Sequence, residues 1–552
     1  MSERAHAPGT VSILSHSVAF AEAFRHWAAG HGLTVTRELT QEPQQASESG
    51  LLLELAGDEE VSVIVGYLES ITSGKELMKA AEEVASTRPV VLLKAGGTGV
   101  GSLAAASRRG SRVSAEVAVG AAFRRAGVVQ VDSFEALLDC ALVFAKAPLP
   151  KGRRVAILAS GDGVGVLTAD AAERAGLEVT PAGAPAPAAG TVGEGDANPV
   201  KVVGDASPEE WAAAIDAVRG GEGVDGVLVA LAPRSMEQAA ATVDAIAACT
   251  PHDKPLLVSF LGDAGEQLPL GTYRAKGLVD FPAPERAVTA FRALSDYAAW
   301  RRRPPRVVTR FPVNRHRVER VIARQLRAGS LQVTEVRAKQ ILRAYNFRVP
   351  AGDVATTADE AVEIAVRIGM PVVLKIASPD IMHKTDSGGV RLNLGDPMAV
   401  RDAFDLMMLR TRQNVPDARV EGVHVEEMGF RGREVILGMI RDPQLGPMLL
   451  FGLGGIFVET MKEATLYPAP ITAVEAMQML EATRSYELLT GASESSRVDL
   501  GAIAVGLQRV SQLVTDFPQI RELDINPFIV GDAGSEPYVA DARIILEGAV
   551  HG

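Results

Sequence analysis

The sequence is poor in cysteine, aromatics and histidine, and it has no long apolar run. Two cysteines in 552 residues, Cys140 and Cys249, exclude a disulfide framework and a cysteine-rich metal site, and fit a reducing, cytoplasmic compartment. The first residues, MSERAHAPGTVSILS, lack the apolar stretch of a signal peptide. No run reaches the ~18 apolar residues of a membrane span, so no membrane partner is expected. Excess positive charge is absent too: the formal net charge is -12, which argues against nucleic acid as a partner. With nine histidines in all, each one is worth placing.

What is present is the apolar content of an ordinary globular chain, 47%, and a length that suggests three or four domains at roughly 100–200 residues each. From residue 8, short β-branched runs alternate with helical spacing: TVSILS then VAFAEAFRHWAAGHG, VSVIVGYLE then GKELMKAAEEVAST, PVVLLKAG then AEVAVGAAFRRAG. That alternation predicts a parallel sheet wrapped by helices over 8–148. After APLPKG a second such run, from RRVAILAS to the helix containing AVTAFRAL, predicts a second doubly wound domain over 151–300. It is interrupted by PAGAPAPAAGTVGEG, which reads as a solvated loop. The arginine- and proline-containing stretch 301–324 reads as a linker, and 325–552 forms a domain of different rhythm.

Most of the interpretable chemistry lies in that last part. Lys375 sits inside the apolar strand PVVLKI. A lysine there either reaches a phosphate or snorkels from a strand edge. GLGG, residues 452–455, separates two apolar runs and is a candidate for presenting backbone N–H groups to phosphate. Glu522, Asp524, Asn526 and Asp541 bring hard oxygen ligands together near the C-terminus, a set that suits Mg2+.

Three segments, AVRIGMPVVLKIASPDIMHKTDSGGVRLNL, GREVILGMIRDPQLGPMLLFGLGGIFVE and IRELDINPF, resemble the ATP-grasp domain of the NDP-forming (ADP-forming) acyl-CoA synthetases, relatives of succinyl-CoA synthetase. The N-terminal segments TVSILSHSVAFAEAF, PVVLLKAGGTGVGSLAAAS and RRVAILASGDGVGVLTADAAERAGLEV resemble the two flavodoxin-like domains of the same family, so the likeness covers nearly the whole chain. The resemblance implies an α/β protein of two flavodoxin-like domains followed by ATP-grasp. It implies an enzyme using ATP, Mg2+ and CoA to join a small carboxylic acid to the CoA thiol, through an acyl phosphate and a phosphohistidine. By the same resemblance Lys375 contacts ATP phosphates, Glu427 and Met428 form the adenine-side hinge, and Glu434, Gly452, Gly454, Gly455 and Glu459 line the cleft. Asn526 and Asp541 hold Mg2+, Glu69 orients a catalytic histidine, and His383 receives or relays the phosphoryl group. An imidazole can do so reversibly near neutral pH; the plainer reading is a structural histidine beside Asp386. Homo- or hetero-oligomerisation is a further expectation of the family.

The chain departs from the family pattern in several places. The family's CoA-binding domain would precede residue 8; the expectation is that its CoA site lies on a separate subunit or is lost. The catalytic loop, Ser-His-Thr-Gly in the family, reads Ser107-Arg108-Arg109-Gly110. Arg108 stays protonated and has no lone pair to attack phosphorus. With Arg109, Arg112, Ser15 and Ser17 it suits an anion-holding loop, not a covalent carrier. His16, in Ser15-His16-Ser17-Val18 where the family has Ser-Gln-Ser-Gly, is either a substitute nucleophile or a polar neighbour of a helix cap. LLTGASESSRVDL lacks the family's Arg-Gly, which weakens an expected ATP-side contact. Two other functions stay open: an ATP-grasp ligase passing the acyl phosphate to a non-CoA acceptor, and a degenerate nucleotide- or acyl-CoA-sensing subunit.

Overall fold

The computed structural model describes residues 9–40, 47–96, 116–180, 191–192, 198–202, 206–232, 236–249, 253–261, 268, 274, 277–378, 380–381, 388–454, 464–483, 486–490, 498–532 and 534–548. The chain forms two units, Met1–Pro304 and Pro305–Gly552. Among the described residues no helix is long and apolar enough to cross a membrane, and both cysteines are free thiols.

The first unit contains two sheets. One is built from β1 (Thr10–Ser15), β2 (Thr34–Thr40), β3 (Val63–Leu68), β4 (Val90–Lys94) and β5 (Val129–Val131). It is wholly parallel in the order β2-β1-β3-β4-β5, which is the flavodoxin-like order. Both faces of a parallel sheet are covered by crossover helices, so its central strands read as continuous apolar runs; all six residues of β1 are buried. Serine caps set where the helices begin. Ser17 accepts from the Phe20 N–H at the start of helix Val18–Gly30, and Ser133 caps helix Phe134–Lys146.

The second sheet contains β6 (Arg154–Ala159), β7 (Glu178–Val179), β8 (Thr191–Val192), β9 (Val200–Val202), β10 (Gly226–Leu231), β11 (Leu256–Phe260) and β12 (Asp280–Phe281). Its order is β12-β11-β10-β6-β9-β8, with β7 also on β6. Part of the stretch expected to be a solvated loop is therefore a strand, because Thr191–Val192 pairs antiparallel with Lys201–Val202. The Gly-rich GDGVG segment opens a helix. Gly161 is an N-cap and helix Asp162–Arg174 begins at once. A Cβ on Gly165 would lie 3.2 Å from both Ala159 and Pro199, so this glycine permits close helix–strand packing.

Helix Pro284–Arg302 returns from the second sheet to the helices of the first. Tyr297 donates to the Ala85 carbonyl at 2.8 Å, and Trp300 Nε1 to that of Arg125 at 3.1 Å. Arg286 grips Asp139 with two hydrogen bonds, of 2.8 and 2.6 Å. Gly127, at φ +76°, lies so close to Trp300 that a Cβ would sit 2.3 Å from the ring.

The linker expected over 301–324 is only partly irregular. Arg303 pairs with Glu82 at 2.6 Å. Arg306 forks onto Glu475 at 2.7 and 3.0 Å. Helix Arg315–Arg327 buries Val318 and Ile322 in the core of the second unit. Charge density suggested solvent, whereas these arginines have specific carboxylate partners.

The second unit carries two antiparallel sheets. Its strands are β13 (Gln332–Val333), β14 (Gly352–Ala355), β15 (Val372–Ala377), β16 (Val390–Leu394), β17 (Gly422–Glu427), β18 (Arg433–Asp442), β19 (Gly446–Leu453), β20 (Thr465–Pro468), β21 (Ile520–Val530), β22 (Tyr538–Val539) and β23 (Ala542–Leu546). The smaller sheet runs β14-β17-β15-β16; the larger runs β13-β23-β21-β18-β19-β20, with β22 on β21. Val372, Leu374, Ile376, Val423 and Val425 point to one face of the smaller sheet and pack with Ala361, Ala365, Val400, Phe404 and Met407. Since side chains alternate along a strand, residues 375, 424 and 426 point to the other face.

Candidate functional site

That other face holds charge. Lys375 lies on β15, an interior strand, opposite His424 on β17, and it is buried. It is not a snorkelling edge lysine. Its Nζ lies 2.5 Å from Glu426 Oε1 and 3.2 Å from Glu335 Oε1, and it donates to the Ala540 carbonyl at 2.6 Å. A second lysine, Lys339, one turn beyond Glu335 on helix Glu335–Ala344, bridges the same two carboxylates at 2.7 and 2.6 Å. Two carboxylates and two ammonium groups thus form a buried quartet. Burial favours neutral Lys375, but Glu335, Glu426 and Asp541 outweigh it and hold the ammonium well above the usual lysine range. Burial opposes the charge on Glu426 as well; Lys375 and Lys339 overcome it and lower its pKa.

Glu335, His424 and Glu426 place potential ligand atoms within 4.8 Å of one another. Both carboxylates already face ammonium groups, so the local charge is balanced and a divalent cation would be repelled by the lysines.

The oxygen-rich C-terminal set lies next to the quartet. Ala540 accepts from Lys375, and Asp541 follows it in the chain. The Asn526 N–H donates to the Asp541 carbonyl at 3.2 Å. On β21, Leu523 and Ile525 are buried in the core, so Glu522, Asp524 and Asn526 share the opposite face. Burial, with repulsion from Glu522 and Asp541 and against attraction to Arg543, pushes Asp524 up to about 6. Mutually repelling hard oxygens are the donor set a magnesium ion fits.

Gly452 and Gly454 depart from the expected phosphate loop. Gly452 is within β19, paired with Ile436 on β18, and the Gly454 N–H donates to the Glu434 carbonyl at 2.9 Å. A Cβ on Gly454 would lie 3.0 Å from that of Glu434, so the glycine serves strand approach. Gly455 and Glu459 lie outside the described residues. At the end of β17 the Glu427 N–H donates to Ala351 and the Met428 N–H to Pro371, so an adenine contact there would not use these two donors.

In the first unit, Ser15, His16, Ser17 and Glu69 come together at the C-terminal edge of the parallel sheet. Ser15 Oγ accepts from the Ser17 N–H at 3.0 Å, and Ser17 caps its helix. His16 has a fully enclosed side chain. Its Nδ1 accepts from the Glu69 N–H at 3.1 Å, which leaves the proton of the neutral ring on Nε2, 3.7 Å from the buried Glu48. Enclosure of the ring and use of the Nδ1 lone pair by the Glu69 N–H favour the reading of His16 as a polar neighbour of the helix cap over that of a substitute nucleophile. The Glu69 carbonyl accepts from Lys94 Nζ at 3.1 Å. Ser107, Arg108, Arg109, Gly110 and Arg112 lie outside the described residues, as does His383.

Residues 324–546 match the family model of an ATP-grasp domain, and residues 8–144 that of a succinyl-CoA ligase like flavodoxin domain. An ADP-forming acetate–CoA ligase I of Archaeoglobus fulgidus is 34% identical over 98% of this chain and 78% of its own length. An ADP-forming 4-hydroxybutyrate–CoA ligase of Nitrosopumilus maritimus is 30% identical with the same two coverages. The chain belongs to the ADP-forming acyl-CoA ligase family. A third relative, the beta subunit of the Pyrococcus furiosus acetate–CoA ligase I, is 42% identical over 41% of this chain and 97% of its own length. The family thus includes proteins made as separate subunits.

Glu335, Lys339, His424 and Glu426 are the residues of this ligase that sequence reasoning missed. The Glu335–Lys339 spacing of four on a helix was the one local signal. His424 is buried, and its Nδ1, 3.5 Å from Glu426 Oε2, has no hydrogen-bond partner among the described residues. Burial lowers its pKa to about 4; Lys339 and Lys375 push the same way, against Glu426 and Glu335. A histidine depressed in the folded state stabilises the fold above its unfolded value, and that stability is lost as pH falls from about 6.5 toward 4. Denaturant titration of the second unit should therefore show a loss of about 2 kcal/mol through this group between pH 7 and pH 5. His424→Gln should flatten that slope; an unchanged slope would contradict this assignment.

Proposed function

We propose that the protein is an ADP-forming ligase that joins a small carboxylic acid to CoA, with domains at 8–148, 151–300 and 325–552. The observation that carries the reading is 34% identity to an ADP-forming acetate–CoA ligase over 98% of the chain. The meeting of Lys375 with the oxygens around Asp541 supports it. In this reading Lys375 holds ATP phosphates, Glu427 and Met428 flank the adenine, and Glu434, Gly452, Gly454, Gly455 and Glu459 line the cleft. Asn526 and Asp541, with Asp524 beside them, hold Mg2+. The ion supplies charge neutralisation on the phosphates.

His383 attacks the γ-phosphorus as its bond to the bridging oxygen breaks, and ADP leaves. The phosphoryl group then passes to the carboxylate as an acyl phosphate, and the CoA thiol displaces inorganic phosphate to give the thioester. Positioning and charge neutralisation, more than covalent help, lower such barriers. Ser15 and Ser17 would belong to an anion-holding site with Ser107, Arg108, Arg109 and Gly110, since arginine forks suit a phosphate or carboxylate, while Glu69 would orient the catalytic histidine. The reading includes assembly with another chain or copy, supported by the relative made as a subunit.

The test is a panel of short carboxylic acids, including acetate and 4-hydroxybutyrate, with MgATP and CoA. ADP release should require both acid and CoA, with one acyl-CoA formed per ADP by mass. ADP release that needs acid but not CoA would point to another acceptor. Arg108 in place of the loop histidine favours one second reading, a nucleotide-sensing subunit. Nucleotide binding without turnover of any acid would establish it instead.

A further inference from the structure

An ammonium group has three protons, and Lys375 Nζ faces three acceptors: Glu335, Glu426 and the Ala540 carbonyl. To bond a phosphate oxygen fully it must give up at least one of them. The carboxylates it leaves are buried, where an unpaired charge is costly. Lys339 touches both and is itself buried. Among the other groups facing them, His424 is held neutral by its burial, and Asp541 adds negative charge beside Lys375.

We propose that Lys339 and Glu335 are positioning residues that set how readily Lys375 is released to a nucleotide phosphate. The inference rests on the reading of Lys375 as the phosphate lysine. With Lys375 withdrawn, Glu335, Glu426 and Lys339 leave one net negative charge. Without Lys339, release leaves two; without the Glu335 charge, it leaves none. Removing both restores the original single charge. Lys339 therefore lowers the cost of release, and Glu335 raises it.

The test is MgADP titration of the full chain by calorimetry. Lys339→Met should weaken binding by about tenfold, and Glu335→Gln should tighten it by about threefold. The double variant should bind within about twofold of the unaltered protein, because the two sites couple through one charge balance. The KM for ATP should follow the same order while kcat moves less. A purely structural quartet would make both single variants weaker and the double variant worst, and that result would overturn the proposal. If Lys339→Met does not fold, tightening by Glu335→Gln remains decisive, since unfolding cannot improve affinity. Lys375→Met separates the two levels. If it binds MgADP like the unaltered protein, the phosphate-lysine reading fails. If it loses binding while Glu335→Gln does not tighten it, this inference alone fails.

Discussion

Lys375→Met is expected to lower ATP-dependent thioester formation by at least about 100-fold, the scale on which single charge-stabilising donors act in phosphoryl and acyl transfer. The side chain keeps its length and loses its charge, so packing on β15 is preserved while the phosphate contact is removed. The substitution has a second consequence. Glu335 and Glu426 would lose the Lys375 ammonium, and breaking a buried ion pair from one side costs roughly 3 kcal/mol. The second unit should therefore melt at a lower temperature. Measuring MgADP affinity below the melting transition separates the two effects. Wild-type affinity in the folded variant would remove Lys375 from the nucleotide site.

His383→Asn should abolish acid-labile labelling by γ-labelled ATP, a loss of at least about 100-fold, because asparagine has no basic nitrogen to attack phosphorus. His383 follows the lysine strand closely in sequence, in MHKTDSGG. The other histidine considered for the role, His16, is fully enclosed, and its Nδ1 accepts from the Glu69 N–H. Arg108 cannot substitute, since a guanidinium binds phosphate without carrying it. Arg108→His supplies the missing nucleophile and should add a second labelled site, recognisable by peptide mapping after mild hydrolysis. Full labelling of His383→Asn would overturn the assignment and direct attention to another nucleophile.

The sequence reveals more of the fold than of the site. Alternating strands and helices produced the parallel-sheet reading of the first unit because both signals are local: β-branched runs, helical spacing, and caps such as Ser17 and Ser133. Composition failed where polar residues had partners remote in sequence. Arg306 reads as linker, yet it is held by Glu475. The GLGG segment reads as a loop, yet Gly454 extends the ladder of β18 and β19. Their contacts depend on strands and helices that local composition does not bring together.

What the sequence determined by itself is the family and the kind of chemistry, since motif order, spacing and the Arg108 replacement are properties of the chain. Which lysines are buried together, which histidine is closed off and which carboxylates guard Lys375 were decided by tertiary structure alone. Lys339 and Glu426 are 87 residues apart in the chain and 2.6 Å apart in space. Burial multiplies the strength of that pair, and burial is a property of the packed layers around it.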